Sequence, residues 1–214
     1  MDSYGLRTCP FLDYNPPMLW DEKRYSEQNG EITVYQGLGG AQVIVDGYSQ
    51  TSEGLNAIWR DAFNRSESLI PHKPSVLVLG LGGGGIVREI YDIWPSARIT
   101  AIEYDSEMIK IAHELKYYGE FPVPEIICAD AGEAVPALKT KFDVIAVDIF
   151  KGGKPSALLL QSDFIEALKN TLTDEGILLV NVADSREYLD AVAKHFTRAD
   201  MWLSAFNFVG LFAK

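Results

Sequence analysis

Three acids and a run of glycines carry the chemistry this sequence offers. Glu103, Asp130 and Asp148 each stand at the end of a short apolar run, and Gly80, Gly82, Gly83, Gly84 and Gly85 crowd the turn after another. Glycines at that density let the backbone turn tightly and approach a ligand where any Cβ would collide. A helix opening after such a turn presents its N-terminal amides to a phosphate or carboxylate. Glu103 lies 18 residues beyond Gly85, where an acid can accept from two ribose hydroxyls. Together these features describe a nucleoside-cofactor site. Gly80, Gly82 and Gly85 also satisfy G-x-G-x-x-G, so on this stretch alone a nicotinamide dinucleotide stays open. A glycine loop of purely structural purpose is the plainer alternative, and the flanking strand, helix and acid argue against it.

The elements that position these residues follow from periodicity. Val76 to Leu79 is too short for a helix and stops at Gly80, as a strand buried on both faces would. Ile86 to Trp94 reads as a helix ended by Pro95, with Ile86, Ile90 and Ile93 on one face, and Ile99 to Ile102 as the second strand. Asp105 is a natural N-cap for a helix over Ser106 to Tyr117. Further strands are expected at Glu125 to Cys128, Phe142 to Val147 and Gly176 to Val182, with helices at Ser162 to Leu172 and Arg186 to Phe196. The tail carries two short apolar runs, Trp202 to Phe206 and Phe208 to Phe212, pivoting near Asn207. Two strands in tandem would close the sheet antiparallel.

Ahead of this unit, residues 1 to 28 read as an irregular arm packing through Phe11, Tyr14 and Trp20. Glu31 to Gln36 and Gln42 to Asp46 read as a hairpin, and Glu53 to Arg65 as a helix in which Trp59 belongs to the core. The expected division is an arm and hairpin over 1–52 and the nucleotide unit over 53–214. Alternating strands and helices imply an α/β, doubly wound parallel sheet whose ligands bind beyond the carboxyl ends of the strands. All three acids then face one crevice.

Composition bounds the partners. With 214 residues, 47% hydrophobic and a net charge of -11, the chain is large enough for one full core and poorly suited to a nucleic acid. Cys9 and Cys128 are far apart and lack metal-ligand spacing, and no histidine sits in a nucleophile turn, so no metal and no hydrolase triad is expected. No apolar run reaches membrane-spanning length. A cytoplasmic protein acting on a small molecule, without membrane or nucleic-acid partner, is expected.

At this point the sequence resembles the class I S-adenosylmethionine-dependent transferases, and within them the spermidine synthase family. The likeness runs from about Glu31 to the C-terminus through VDGYSQTSE, LGLGGGGIVREI, AIEYD, CADAGEAV, and FDVIAVDIF followed by KGGKPSALL. It implies a seven-stranded Rossmann-like sheet with an antiparallel C-terminal strand pair, and too little chain for a dehydrogenase's substrate domain. It also implies roles. Gln50 would touch the nucleoside, Glu103 the ribose, Asp130 with Ala131 the adenine edge, and Asp148 would stand beside the reacting centre. Relatives often pair through their N-terminal strands, so a homodimer is a possible assembly.

The departures from the family pattern set the finer expectation. The family's loop aspartate is here Gly83, its second acid after the fourth strand aligns with Lys151, and its Asp-Glu and Tyr-His-Glu residues are Leu55, Asn56, Trp59, Arg60 and Asp61. Polyamines are multiply cationic and need paired carboxylates when buried. The expectation is therefore a spermidine synthase-like methyltransferase using intact S-adenosylmethionine. Without a side chain at Gly83, the carboxylate of that cofactor would meet backbone amides at the helix N-terminus, and the acceptor would be a small neutral or acidic molecule. Asp148 would orient the nucleophile or take its proton, and Lys151 and Lys154 could draw in an acid. The alternatives are a polyamine aminopropyltransferase using decarboxylated S-adenosylmethionine, and a non-catalytic nucleoside-binding homologue. The acceptor pocket is expected from the N-terminal arm, the loop from Ile149 to Pro155 and the region near Tyr188. Tyr4, Tyr14, Trp20, Tyr25 and Tyr48 are expected to pack the arm or a dimer contact.

Overall fold

Alternation along the strands sets the architecture. Of β5 (Ser75–Leu79), Val76 and Val78 point to one face and Leu77 and Leu79 to the other, all fully buried, as the period of two requires. The structure is a computed structural model that describes residues 18–37, 40–116, 118–151 and 153–214. The contacts expected of Tyr4, Phe11, Tyr14 and the Trp20 side chain lie outside the described residues.

The N-terminal strands are β1 (Met18–Ser26), β2 (Gly30–Gly37), β3 (Gly40–Val45) and β4 (Tyr48–Ser49), an antiparallel sheet in that order. The arm expected through residue 28 is thus a strand from Met18 onward, and the hairpin is part of a four-stranded sheet. β1 escapes the hydrophobic pattern because Asp21, Glu22, Lys23 and Tyr25 are all exposed along an edge that charged side chains protect. Ile32, Val34, Val43 and Val45 face inward and cover Met108 and Ile111.

Helix α1 (Glu53–Ser66) follows, capped by Ser52, whose side chain accepts from the Leu55 amide at 3.2 Å. After β5 come α2 (Gly85–Ile93), β6 (Arg98–Glu103), α3 (Ser106–Leu115), β7 (Glu125–Cys128), α4 (Ala131–Ala137) and β8 (Phe142–Val147). Two short strands, β9 (Phe150–Lys151) and β10 (Lys154–Pro155), form a small hairpin. The chain ends with α5 (Ser162–Thr171), β11 (Leu172–Val182), α6 (Glu187–Ala193), β12 (Arg198–Ser204) and β13 (Asn207–Ala213).

The main sheet has seven strands in the order β12, β13, β11, β8, β5, β6, β7. Strands β5, β6, β7, β8 and β11 are parallel, whereas β13 runs antiparallel to both β11 and β12. This is the expected doubly wound, Rossmann-like arrangement with its antiparallel terminal pair. The terminal turn falls at Ala205 and Phe206, with Ala205 at φ 52°, and Asn207 opens β13 instead of marking the pivot. Helix α4 was not expected, since Gly132 and Pro136 both disfavour a helix; Asp130 caps it and buried Val135 holds it to the core. Side chains on the two faces of the sheet form two cores, one under α1 and α2 and one under α5. Strand order reverses between β5 and β8, which opens a crevice at their carboxyl ends.

Candidate functional site

Successive strand ends interlock at that crevice. The Asp148 amide donates to the Leu79 carbonyl at 2.8 Å and the Gly80 amide to the Ile102 carbonyl at 2.9 Å. Gly80 has φ +88°, and a Cβ there would lie 2.2 Å from the Asp148 carbonyl oxygen. Only glycine satisfies both conditions. Glu103 fixes the turn that follows. Its Oε2 accepts from the amides of Leu81 at 3.0 Å and Gly82 at 3.3 Å, and its Oε1 from that of Asp105 at 3.0 Å. Burial pushes this carboxyl up from its ordinary pKa, and the three backbone bonds work against that rise.

Gln50, Gly80, Gly82, Gly85, Glu103, Asp130, Ala131 and Asp148 line one cavity of about 340 Å³, within the usual size of a small-molecule site. Gly83 and Gly84 do not. A Cβ on Gly83 would meet Thr51 Cγ2 at 2.1 Å, so the bare glycine makes room for a side chain of the N-terminal region. Gly84 has φ +92° and sits beside the Tyr118 ring. Asp130 spends one oxygen on the Gly132 amide at 2.7 Å, capping α4. The Gln50 side chain donates to the Tyr48 carbonyl at 3.4 Å.

Asp148 is the most elaborately held of the acids. Trp59 Nε1 donates to its Oδ2 at 2.9 Å, and Asn181 Nδ2 to its Oδ1 at 2.8 Å. Asn207 Nδ2 in turn donates to Asn181 Oδ1 at 2.9 Å, fixing which end of that amide faces the acid. Enclosure by protein raises the Asp148 carboxyl above its ordinary pKa, and the Trp59 and Asn181 bonds pull it back. The result is a half-buried acid that faces the cavity with both oxygens oriented and one acceptor site still available on each.

Several of these residues were not anticipated. Trp59 is core, as expected, at 2% exposure, yet its ring edge reaches the cavity and holds Asp148. Asn181 had a legible signal, a lone amide in the apolar run Ile177 to Val182 that must be satisfied inside a buried strand. Asn29 had none. It donates to Asp105 Oδ2 at 2.6 Å, accepts from the Tyr104 hydroxyl at 2.8 Å and lines the cavity. Tyr48, expected to pack, lines the cavity mouth at 51% exposure against Gly153. Tyr25 is 75% exposed, and Tyr188 packs on the core beneath α5 instead of lining the cavity.

The loop cations divide. Lys151 lines the cavity and Lys154 does not. Arg60 faces away from it, bonded twice to the buried Glu89 at 2.9 Å, and Asp61 holds Arg65 at 2.9 Å and Trp202 at 2.7 Å. His195 pairs with Glu166 at 2.7 Å and His113 with Tyr118 at 2.7 Å, and neither histidine lines the cavity. Among the described residues no three metal-binding side chains converge, and no helix is long and apolar enough to cross a membrane.

Comparison with known proteins agrees with this geometry. The spermine/spermidine synthase domain matches residues 65–199. A polyamine aminopropyltransferase of Neisseria meningitidis is 36% identical over 106 residues, 48% of this chain and 40% of that protein. One from a Thermoanaerobacter species is 30% identical over 164 residues, 70% of this chain and 58% of that protein. The chain thus spans about half the length of these relatives. The spermidine synthase of Thermotoga maritima superposes with a TM-score of 0.72 at 21% identity, covering 92% of this chain and 72% of that one, a likeness of fold.

These relatives overturn the expectation of methyl transfer from intact S-adenosylmethionine and favour the aminopropyl alternative. The structure supplies the physical reason. Gly83 does not face the cavity, so its missing acid says nothing about the cofactor. Three amides of the turn are engaged, those of Leu81 and Gly82 by Glu103 and that of Gly84 by the Leu81 carbonyl.

Proposed function

The chain belongs to the spermine/spermidine synthase domain family, and from that premise we propose that it transfers an aminopropyl group from decarboxylated S-adenosylmethionine to a small amine in the cytoplasm. The observation that carries this reading is Asp148, held by Trp59 and Asn181 in the same cavity as the glycine turn that Glu103 fixes. Gly80, Gly82 and Gly85 leave room for the donor's backbone-hugging part. Glu103 retains acceptor capacity for ribose hydroxyls, and Asp130, Ala131 and Gln50 flank the base end. A donor without a carboxylate suits a turn in which the Leu81 and Gly82 amides are already bonded.

The donor, when bound, supplies a propyl chain already activated by its sulfonium charge. The protein's part is to align the acceptor nitrogen and remove its proton, since an ammonium has no lone pair to attack with. Asp148 is suited to that step because its pKa is raised from the ordinary carboxylate value and both its oxygens are oriented.

The test is release of 5′-methylthioadenosine from decarboxylated S-adenosylmethionine in the presence of an amine panel. Turnover is expected, and Asp148→Asn should lower it by about 10²- to 10⁴-fold while calorimetric binding of 5′-methylthioadenosine persists. A wild-type protein that binds the nucleoside yet releases no thioether with any amine would be a non-catalytic nucleoside binder instead.

A further inference from the structure

The charges around Asp148 specify the acceptor more narrowly than an amine. Among the described residues lining the cavity, four are charged: Glu103, Asp130, Asp148 and Lys151. The first two end β6 and β7, which lie beyond β5 from β8. Neighbouring strands are about 4.8 Å apart, so Asp130 stands roughly 14 Å from Asp148, on the nucleoside side. Glu103 is nearer but gives oxygens to three backbone amides. On the other side of Asp148 the polar side chains that the sheet turns to the cavity, among the described residues, are two amides, Asn181 on β11 and Asn207 on β13.

Among the described cavity-lining residues, only one charge therefore shares the acceptor end with Asp148, and it is positive. Lys151 is three residues along the chain, which limits its Cα to about 11 Å from that of Asp148. It is exposed, lines the cavity from the β9–β10 hairpin, and makes no ion pair with any described residue. The bland reading is a solvated loop lysine. A dicationic acceptor, however, would place one ammonium at Asp148 and leave the second without an acid among the described lining residues and near a like charge, which is unfavourable in a partly desolvated site.

We propose that the acceptor is an amino-carboxylate, one amine directed to Asp148 and a carboxylate several carbons away directed to Lys151. This inference rests on the aminopropyl reading above. In the step itself the acceptor ammonium gives a proton to Asp148. The freed nitrogen lone pair forms a C–N bond to the propyl carbon next to sulfur, and the C–S bond breaks. Its electron pair returns to sulfur, the sulfonium leaves as neutral 5′-methylthioadenosine, the product is a secondary ammonium, and Asp148 releases its proton to water.

The experiment compares 4-aminobutanoate with 1,4-diaminobutane, which match in carbon count, in wild type and Lys151→Glu at low ionic strength. Thioether release gives kcat/KM, and calorimetry on protein loaded with 5′-methylthioadenosine gives acceptor affinity without turnover. Wild type should favour the amino acid by about tenfold, and the variant should invert the order. Added salt should shrink the preference, because Lys151 is exposed. A wild-type preference for the diamine, or a ratio unmoved by Lys151→Glu, overturns the inference while leaving aminopropyl transfer intact. Absent turnover with either acceptor, the affinities decide the inference while the transfer reading stands or falls on the amine panel: the amino acid bound more tightly by wild type, with the order inverted by the variant, upholds the acceptor class. Any other order of affinities overturns the inference.

Discussion

Asp148 depends on Trp59 for more than packing. The indole stacks on Phe63 with ring centroids 5.5 Å apart, and its Nε1–H holds one carboxylate oxygen. Trp59→Phe keeps an aromatic ring in the core and removes the donor. Losing a hydrogen bond to the charged form makes the carboxylate bind its proton more tightly, so the folded-state pKa rises further. A bond to a charged group contributes about 1.5–3 kcal/mol, equivalent to roughly one to two pKa units. The acidic limb of the rate profile should therefore move upward by about one pH unit or more, with the deficit largest at low pH. A pH–rate profile of the variant checks this; an unshifted limb with a uniform loss would make Trp59 a packing residue alone.

At the scale of elements, the glycine turn is fitted on both sides. Gly80 yields to the backbone of β8, and Gly83 yields to Thr51, which is 1% exposed and whose Oγ1 accepts from the Val43 amide at 2.9 Å. Gly83→Ala should destabilise by about 1–3 kcal/mol through overpacking, since its Cβ would meet Thr51 Cγ2 at 2.1 Å. Thr51→Ser removes that methyl and keeps the hydroxyl. The remaining neighbours of an added Cβ are at 3.5 and 3.6 Å, ordinary contact. In a thermal or urea double-mutant cycle the serine should rescue most of the alanine's loss, giving a coupling of about 1 kcal/mol or more. Additive effects would mean that the turn shifts instead of Thr51. The strands, helices and glycine turn were legible because burial on both faces writes continuous apolar runs. β1 and α4 were not, one being a charged edge and the other a short helix held by its cap and core contact.

The whole molecule is one in which the N-terminal sheet and the nucleotide unit share the cavity. Ser26 donates to Asp105 Oδ2 at 2.6 Å, Asn29 does the same, and Arg24 bonds Glu107 at 3.3 Å and also Glu114 on α3. Asn29, Tyr48 and Gln50 thereby reach the cavity from outside the parallel sheet. The molecule also carries 30 acids against 19 bases, so long-range repulsion opposes the compact state. Raising salt from about 0.01 to 0.2 M shortens the screening length from about 30 Å to below 8 Å. A stabilisation near 1 kcal/mol would raise Tm by about 2–4 °C. Scanning calorimetry across that salt range measures it, and a falling Tm would mean that ion pairs such as Arg24 with Glu107 outweigh the net repulsion.

By itself the sequence determined the sheet, its winding and the identity of the acids at its strand ends, because burial periodicity and glycine spacing are local properties of the chain. It also carried the resemblance to the spermidine synthase family. Which glycines face the ligand, what holds Asp148 and which loop lysine reaches the cavity were decided only by tertiary structure. Trp59, Asn181 and Asn207 come from three elements distant in sequence. Gly83 and Lys151, which pointed together toward methyl transfer when read along the chain, face different surroundings once folded, one against Thr51 and one into the cavity. A residue's type is written in the sequence, whereas the direction in which its side chain points depends on the packing of elements far along the chain.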